Sequence, residues 1–187
     1  MANNSQPIPI SYVSLGSSAS YIEFANIPQG FAHLYIEMCC RTTDSGSVVV
    51  SGYFNTDSTQ TNYAYYTMQG SLTNTISGYG AGDTCWLGIQ NHGSTTSNSF
   101  GTAITIIPNY SKSDRQKSWY MKGGVSANSS GNIYYEELQG LWRNTAAITT
   151  IRFSPAGGSF TTGTSIAIYG VNNTNTIGAG NAPTTTP

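Results

Sequence analysis

The sequence predicts an all-β protein, an antiparallel β-sandwich of jelly-roll kind with about nine or ten strands. Three observations predict it. Short runs rich in β-branched and aromatic residues alternate apolar and polar side chains with a period of two, most clearly over Phe31 to Arg41. Clusters of Gly, Ser, Asn and Pro punctuate these runs at near-regular spacing. No segment sustains the 3.6-residue period of a helix, and no repeat of fixed period points to a solenoid or propeller.

Residues 1–9 read as an extended N-terminal arm, because Pro7 and Pro9 hold the chain extended. The sandwich domain is expected over residues 10–171, followed by a flexible C-terminal tail over 172–187 that has lost all periodicity. Within the domain, Ile10 to Leu15 reads as a first strand. Ser20 to Ala25 follows, with Ile22 and Phe24 on one face, and the loop Asn26-Ile27-Pro28-Gln29-Gly30 ends it. In the next strand Leu34, Ile36, Met38 and Cys40 share one face, and His33, Tyr35, Glu37 and Cys39 the other. Val48 to Asn55 makes a fourth strand. The polar segment Thr56 to Thr84 reads as a long loop around one broken strand, Ala64 to Met68. Cys85 to Ile89 and Phe100 to Pro108 are strands; in the second, Ile104 and Ile106 oppose Ala103, Thr105 and Ile107. Gln116 to Val125 and Asn132 to Gln139 complete the middle of the chain. The clearest signal is the last: Ile148 to Phe153 and Thr164 to Val171 flank Ser154-Pro155-Ala156-Gly157-Gly158-Ser159 and read as a closing hairpin.

Composition narrows the function classes. The net charge is −1 and only 8% of residues are charged, so the chain lacks the basic footprint that a phosphate backbone requires and nucleic acid is not an expected partner. Aromatic residues at 12%, 13 of them Tyr, argue against a disordered chain. No apolar run reaches the ~18 residues of a membrane span, and no membrane contact is expected. The first residues lack the basic and apolar regions of a secretory signal. Cys39 and Cys40 are adjacent and point to opposite faces of a strand, so with Cys85 they are expected as free, reduced thiols.

The residues form no recognisable catalytic constellation. His33 and His92 stand alone, with no metal-ligand spacing, so neither a metal nor another cofactor is expected. Ser77 to Gly82 is glycine-rich but lacks the Gly-Lys-Ser/Thr ending of a phosphate loop. Most of the eight carboxylates are expected in turns or on polar strand faces. Adjacent Glu136 and Glu137 point to opposite faces and cannot form a glycosidase pair; Asp57 and Asp83 are the positions at which such an activity would be sought. Lys112, Arg115, Lys117 and Lys122 gather around Trp119 and Tyr120 and read as solvated turn charges.

Gly140-Leu141-Trp142-Arg143-Asn144-Thr145, an Ala-Ile-Thr-Thr-Ile strand, a Ser-Pro-Ala-Gly turn and a closing Ile-Ala-Ile-Tyr-Gly-Val strand together resemble a β-sandwich domain of tailed-bacteriophage virion proteins. Ser18 to Leu34 is similar to that domain's early strand, Ile-Pro loop and following strand, and the resemblance spans about Ile10 to Val171. It implies a virion structural protein and carries over no catalytic residue. The implied role is non-enzymatic: a capsid decoration (cement) protein, a homotrimer on the capsid surface, bridging major capsid subunits and assembled in the bacterial cytoplasm. The alternative is a tail-fibre or head-fibre module that binds a host-surface glycan or receptor. Partner contacts are expected from the arm, Pro7, Ile8, Pro9 and Ile10, which could join a neighbouring sheet edge. Tyr63, Tyr65, Tyr66 and Trp86 are expected as contact or stacking residues. Trp142 is expected to cover one end of the sandwich, and Arg143 to bond nearby turn carbonyls.

Overall fold

The computed structural model describes residues 6–46, 48–71, 75–80, 84–126 and 133–172, with the backbone alone described at 71, 75–80 and 126. Twelve strands run in the order β1 (Ile8–Ser14), β2 (Ile22–Phe24), β3 (His33–Cys40), β4 (Val49–Phe54), β5 (Tyr63–Ser71), β6 (Thr75–Gly80), β7 (Cys85–Ile89), β8 (Gly101–Pro108), β9 (Lys117–Ser126), β10 (Ile133–Trp142), β11 (Ile151–Pro155) and β12 (Ser165–Val171). A 3-10 turn, Gln60–Asn62, leads into β5.

The strands form two antiparallel sheets, a β-sandwich as expected. One holds eight strands in the order β1-β12-β3-β8-β9-β10-β5-β6; the other holds four in the order β2-β11-β4-β7. This eight-and-four division is wider on one side than the eight-strand double sheet of a jelly roll.

The period-two pattern sorts side chains as alternation requires. Leu34, Ile36, Met38 and Cys40 of β3 are buried, while Glu37 between them is exposed. In β8 the core takes Ala103, Thr105 and Ile107, and the bulkier Ile104 and Ile106 face outward. In β1 the register slips between Pro9 and Ser11. That bulge brings Ile10 and Val13, of opposite parity, both against the core.

Three expectations are corrected. Ile148 to Phe153 and Thr164 to Val171 do not form a hairpin: β11 lies between β2 and β4 in the smaller sheet, whereas β12 lies between β1 and β3 in the larger. The connection over Ala156 to Thr164 passes from one sheet to the other, with Gly158 at φ 68° and Gly163 at φ 87°. Turn chemistry was legible there, but inter-sheet and intra-sheet turns use the same residues. Second, Thr56 to Thr84 is not a loop with a broken strand. β5 pairs with β10 from Tyr63 to Ser71 and with β6 on its other side. Polar residues sit in these strands because their outward positions tolerate them. Third, the arm ends earlier than expected, since Ile8 and Pro9 belong to β1 and pair with Gly170 and Tyr169. An edge strand accepts proline because its outer side makes no ladder bonds. Residues 1–5, and the tail after Asn172, lie outside the described residues.

The two sheets are joined by an aromatic cluster. Phe54, at the end of β4, sits 5.5 Å from Trp119 and 5.4 Å from Trp142 in edge-to-face contacts, and 6.1 Å from Tyr63. Tyr63 and Trp142 stack at 6.3 Å. Every polar tip in this cluster has a partner. Trp119 Nε1 donates to the Trp86 carbonyl, Trp142 Nε1 to Asp57 Oδ2, and the Tyr63 hydroxyl to the Asp57 carbonyl. Gly140 of β10 makes room for it, because a Cβ there would fall inside the Trp119 indole. Gly140→Ala is therefore expected to destabilise the fold by about 3 kcal/mol through overpacking. Urea denaturation of the purified variant checks this; a loss indistinguishable from that of Ala at an exposed strand position would contradict it.

Candidate functional site

The outward face of the eight-stranded sheet is built from three adjacent cross-strand rows. The ladders place Tyr12, Ala167, Glu37, Ile104, Lys122, Glu137 and Met68 side by side in one row. A flanking row runs Tyr169, Tyr35, Ile106, Tyr120, Gln139 and Tyr66, with Tyr35 and Tyr169 in edge contact at 6.0 Å. The row on the other flank is Ser165, Cys39, Thr102 and Gly124, all small, followed by Tyr135. An antiparallel sheet with one solvated face ordinarily presents polar side chains there. This one interleaves Glu37, Lys122, Glu137 and Gln139 with tyrosines, isoleucines and a methionine.

Two features result. Over the small-residue row lies an open trough of about 600 Å³, with Ser165, Cys39, Thr102 and Gly124 as its floor and Tyr12, Glu37, Lys122, Tyr135 and Tyr169 around it. On β5, Tyr66 and Met68 are 52% and 48% exposed and, two residues apart, stand side by side on the outer face as an apolar patch, while Ile133, 58% exposed, lies further along β10 beyond Tyr135.

The expected contact residues are dispersed by the fold. Tyr63 and Trp86 are buried, so neither presents a ring to a ligand: Trp86 Nε1 donates to the Gly88 carbonyl, and its ring meets Tyr65 edge-on at 5.2 Å. Tyr65 is half-buried against the core, and Tyr66, with the opposite parity, is exposed on the outer face. Ile8 is exposed and Ile10 half-buried in β1, whose one side is already paired with β12. Pro7 precedes that strand. The trough residues were missed. Tyr12, Thr102, Lys122 and Tyr135 lie on four different strands, and only the register between strands aligns them.

Titratable groups away from the outer face serve the fold. Asp57 accepts from Trp142 Nε1 at 2.8 Å, Asn62 Nδ2 at 2.9 Å and the Thr59 amide at 3.1 Å. Partial burial pushes its carboxyl up, but these donors outweigh that effect and hold it below the ordinary range. Asp83 lies outside the described residues. Glu136 and Glu137 point to opposite faces, as expected, and Glu136 is the one buried on the core face, where it accepts from Thr67 Oγ1 and from Gln69 Nε2. Desolvation pushes its carboxyl up, partly offset by those two donors. A cavity of about 300 Å³ beside it is lined also by His92, Val48 and Ile89. Lys117, expected as a solvated charge, is buried and donates to the Arg115 and Thr145 carbonyls at 2.7 and 2.9 Å. Arg143 donates to the Thr61 and Tyr63 carbonyls, as expected of a residue that serves the fold. Cys39, Cys40 and Cys85 are free thiols. Among the described residues no three His, Cys, Asp or Glu side chains gather as metal ligands, and no helix is long and apolar enough to cross a membrane.

The two carboxyls predict opposite pH behaviour. The stabilisation from Asp57, whose folded-state pKa is depressed, is full above the ordinary carboxylate pKa of about 3.9 and is lost as pH falls through its lower folded value. Asp57→Asn is expected to melt below the wild type at pH 7, with the gap narrowing on acidification below about pH 4. Glu136 has a raised folded-state pKa, so its ionisation opposes folding at neutral pH and the penalty lifts as pH falls. Glu136→Gln is expected to melt above the wild type at pH 7 and to lose that advantage in acid. Thermal melts across pH decide both; pH-independent gaps contradict them.

No family model, curated protein or solved structure matches the chain.

Proposed function

We propose that the protein is a non-enzymatic structural component of a virus particle: a decoration module, assembled as a homotrimer, that binds neighbouring major capsid subunits. The observation that carries this reading is the apolar patch of Tyr66 and Met68 on β5, on the outer face of the larger sheet. Large apolar side chains gathered on a sheet's outward face, in a chain of net charge −1, suit lasting contact with another protein surface. The particle context rests on the sequence motifs alone, those of Ser18 to Leu34 and Gly140 to Val171 that resemble virion β-sandwich domains. Several modest contacts on one symmetric oligomer then add through effective concentration.

Imaging of the intact particle tests the reading: density for this chain repeated across the capsid lattice is expected, and density at tail tips alone overturns it. Exchanging Tyr66 and Met68 for Asp is expected to lower lattice occupancy at least tenfold while the isolated chain melts as before. Undiminished occupancy removes the patch from the reading.

A further inference from the structure

We propose that the trough on the outer face of the eight-stranded sheet is a binding site for a linear, neutral oligosaccharide. This site is separate from the apolar patch on β5. Its floor is the row of small side chains Ser165, Cys39, Thr102 and Gly124, contributed by β12, β3, β8 and β9, and Tyr135 of β10 closes the end. From Ser165 to Tyr135 is four interstrand spacings, roughly 19 Å, so the trough admits an extended chain of several units lying across the strands.

The chemistry of its walls selects the occupant. Tyr12 and Tyr135 are 67% and 46% exposed, and an aromatic ring held in the open offers a flat apolar face with a hydrogen-bonding tip. A pyranose ring matches this, with C–H groups on its faces and hydroxyls around its rim. Glu37 and Lys122 stand between the tyrosines as acceptor and donor, and Thr102 adds a hydroxyl at the floor. Tyr135 is already oriented, because its hydroxyl donates to Glu137 Oε1, and such preorganisation reduces the entropic cost of binding.

Other occupants fit less well. The floor strands lie inside the sheet, with both ladders of each strand filled, so an extended peptide finds no free main-chain edge to pair with. An anionic polymer finds one lysine, Lys122, flanked in its row by Glu137 on one side and by Glu37 beyond Ile104 on the other. Charge therefore favours a neutral chain.

Calorimetric titration of the full chain with neutral hexose and N-acetylhexosamine oligomers of increasing length tests the site. At least one series is expected to bind, more tightly as the oligomer lengthens toward the span of the trough. Tyr12→Ala and Tyr135→Ala are each expected to weaken binding about tenfold. Thr102→Trp, which fills the floor from an exposed position, is expected to abolish it. Tyr21→Ala, on an exposed tyrosine beside the smaller sheet, is expected to leave affinity unchanged, and the melting curves of all four variants report folding. The proposal is overturned if no neutral series binds, if affinity is independent of length, if an acidic polysaccharide binds in preference, or if the trough variants bind as the wild type does. Because Tyr66 and Met68 lie outside the trough, loss of capsid occupancy and loss of sugar binding are read from different variants.

Discussion

The sandwich depends on the burial of Phe54 among Tyr63, Trp119 and Trp142. Phe54 belongs to the four-stranded sheet and the other three to the eight-stranded one, so this contact joins the layers. Aromatic side chains supply large apolar area, but tryptophan and tyrosine also carry a polar group that must not be stranded. Asp57 answers that need twice, accepting the Trp142 indole on its carboxylate and the Tyr63 hydroxyl on its carbonyl. The segment between β4 and β5 is thus bound to the core at the point where the chain crosses between sheets. Gly140 has the complementary role of leaving space for the Trp119 ring.

This arrangement separates stability from surface chemistry. The buried carboxyl, the buried lysine and the half-buried Asp57 all bond within the chain, and none lines the trough. The outer face is free to vary because alternation places its side chains where the core does not constrain them. Its rows of Tyr, Ile and Met are costly for a face that meets only water, and economical for one that meets a partner or a sugar. The salt bridge of Arg152 with Glu23 at 2.8 Å, with Tyr21 stacked over the guanidinium, shows the smaller sheet's side treated differently, with its aromatic group already occupied from within.

The sequence by itself determined the fold class, the alternation in β3, the inward face of β2 and the bounds of β7. These follow from local periodicity and turn chemistry, which need no knowledge of distant contacts. It also placed Arg143 among backbone carbonyls. The tertiary structure alone decided that β11 and β12 lie in different sheets, that Tyr63 and Trp86 are core residues, and that Glu136 and Lys117 are buried with partners. Those outcomes depend on pairings between residues far apart in the chain. For the same reason the trough could not be read in advance: Ser165, Cys39, Thr102 and Gly124 become a floor only when four strands align in register, and register is a property of the sheet.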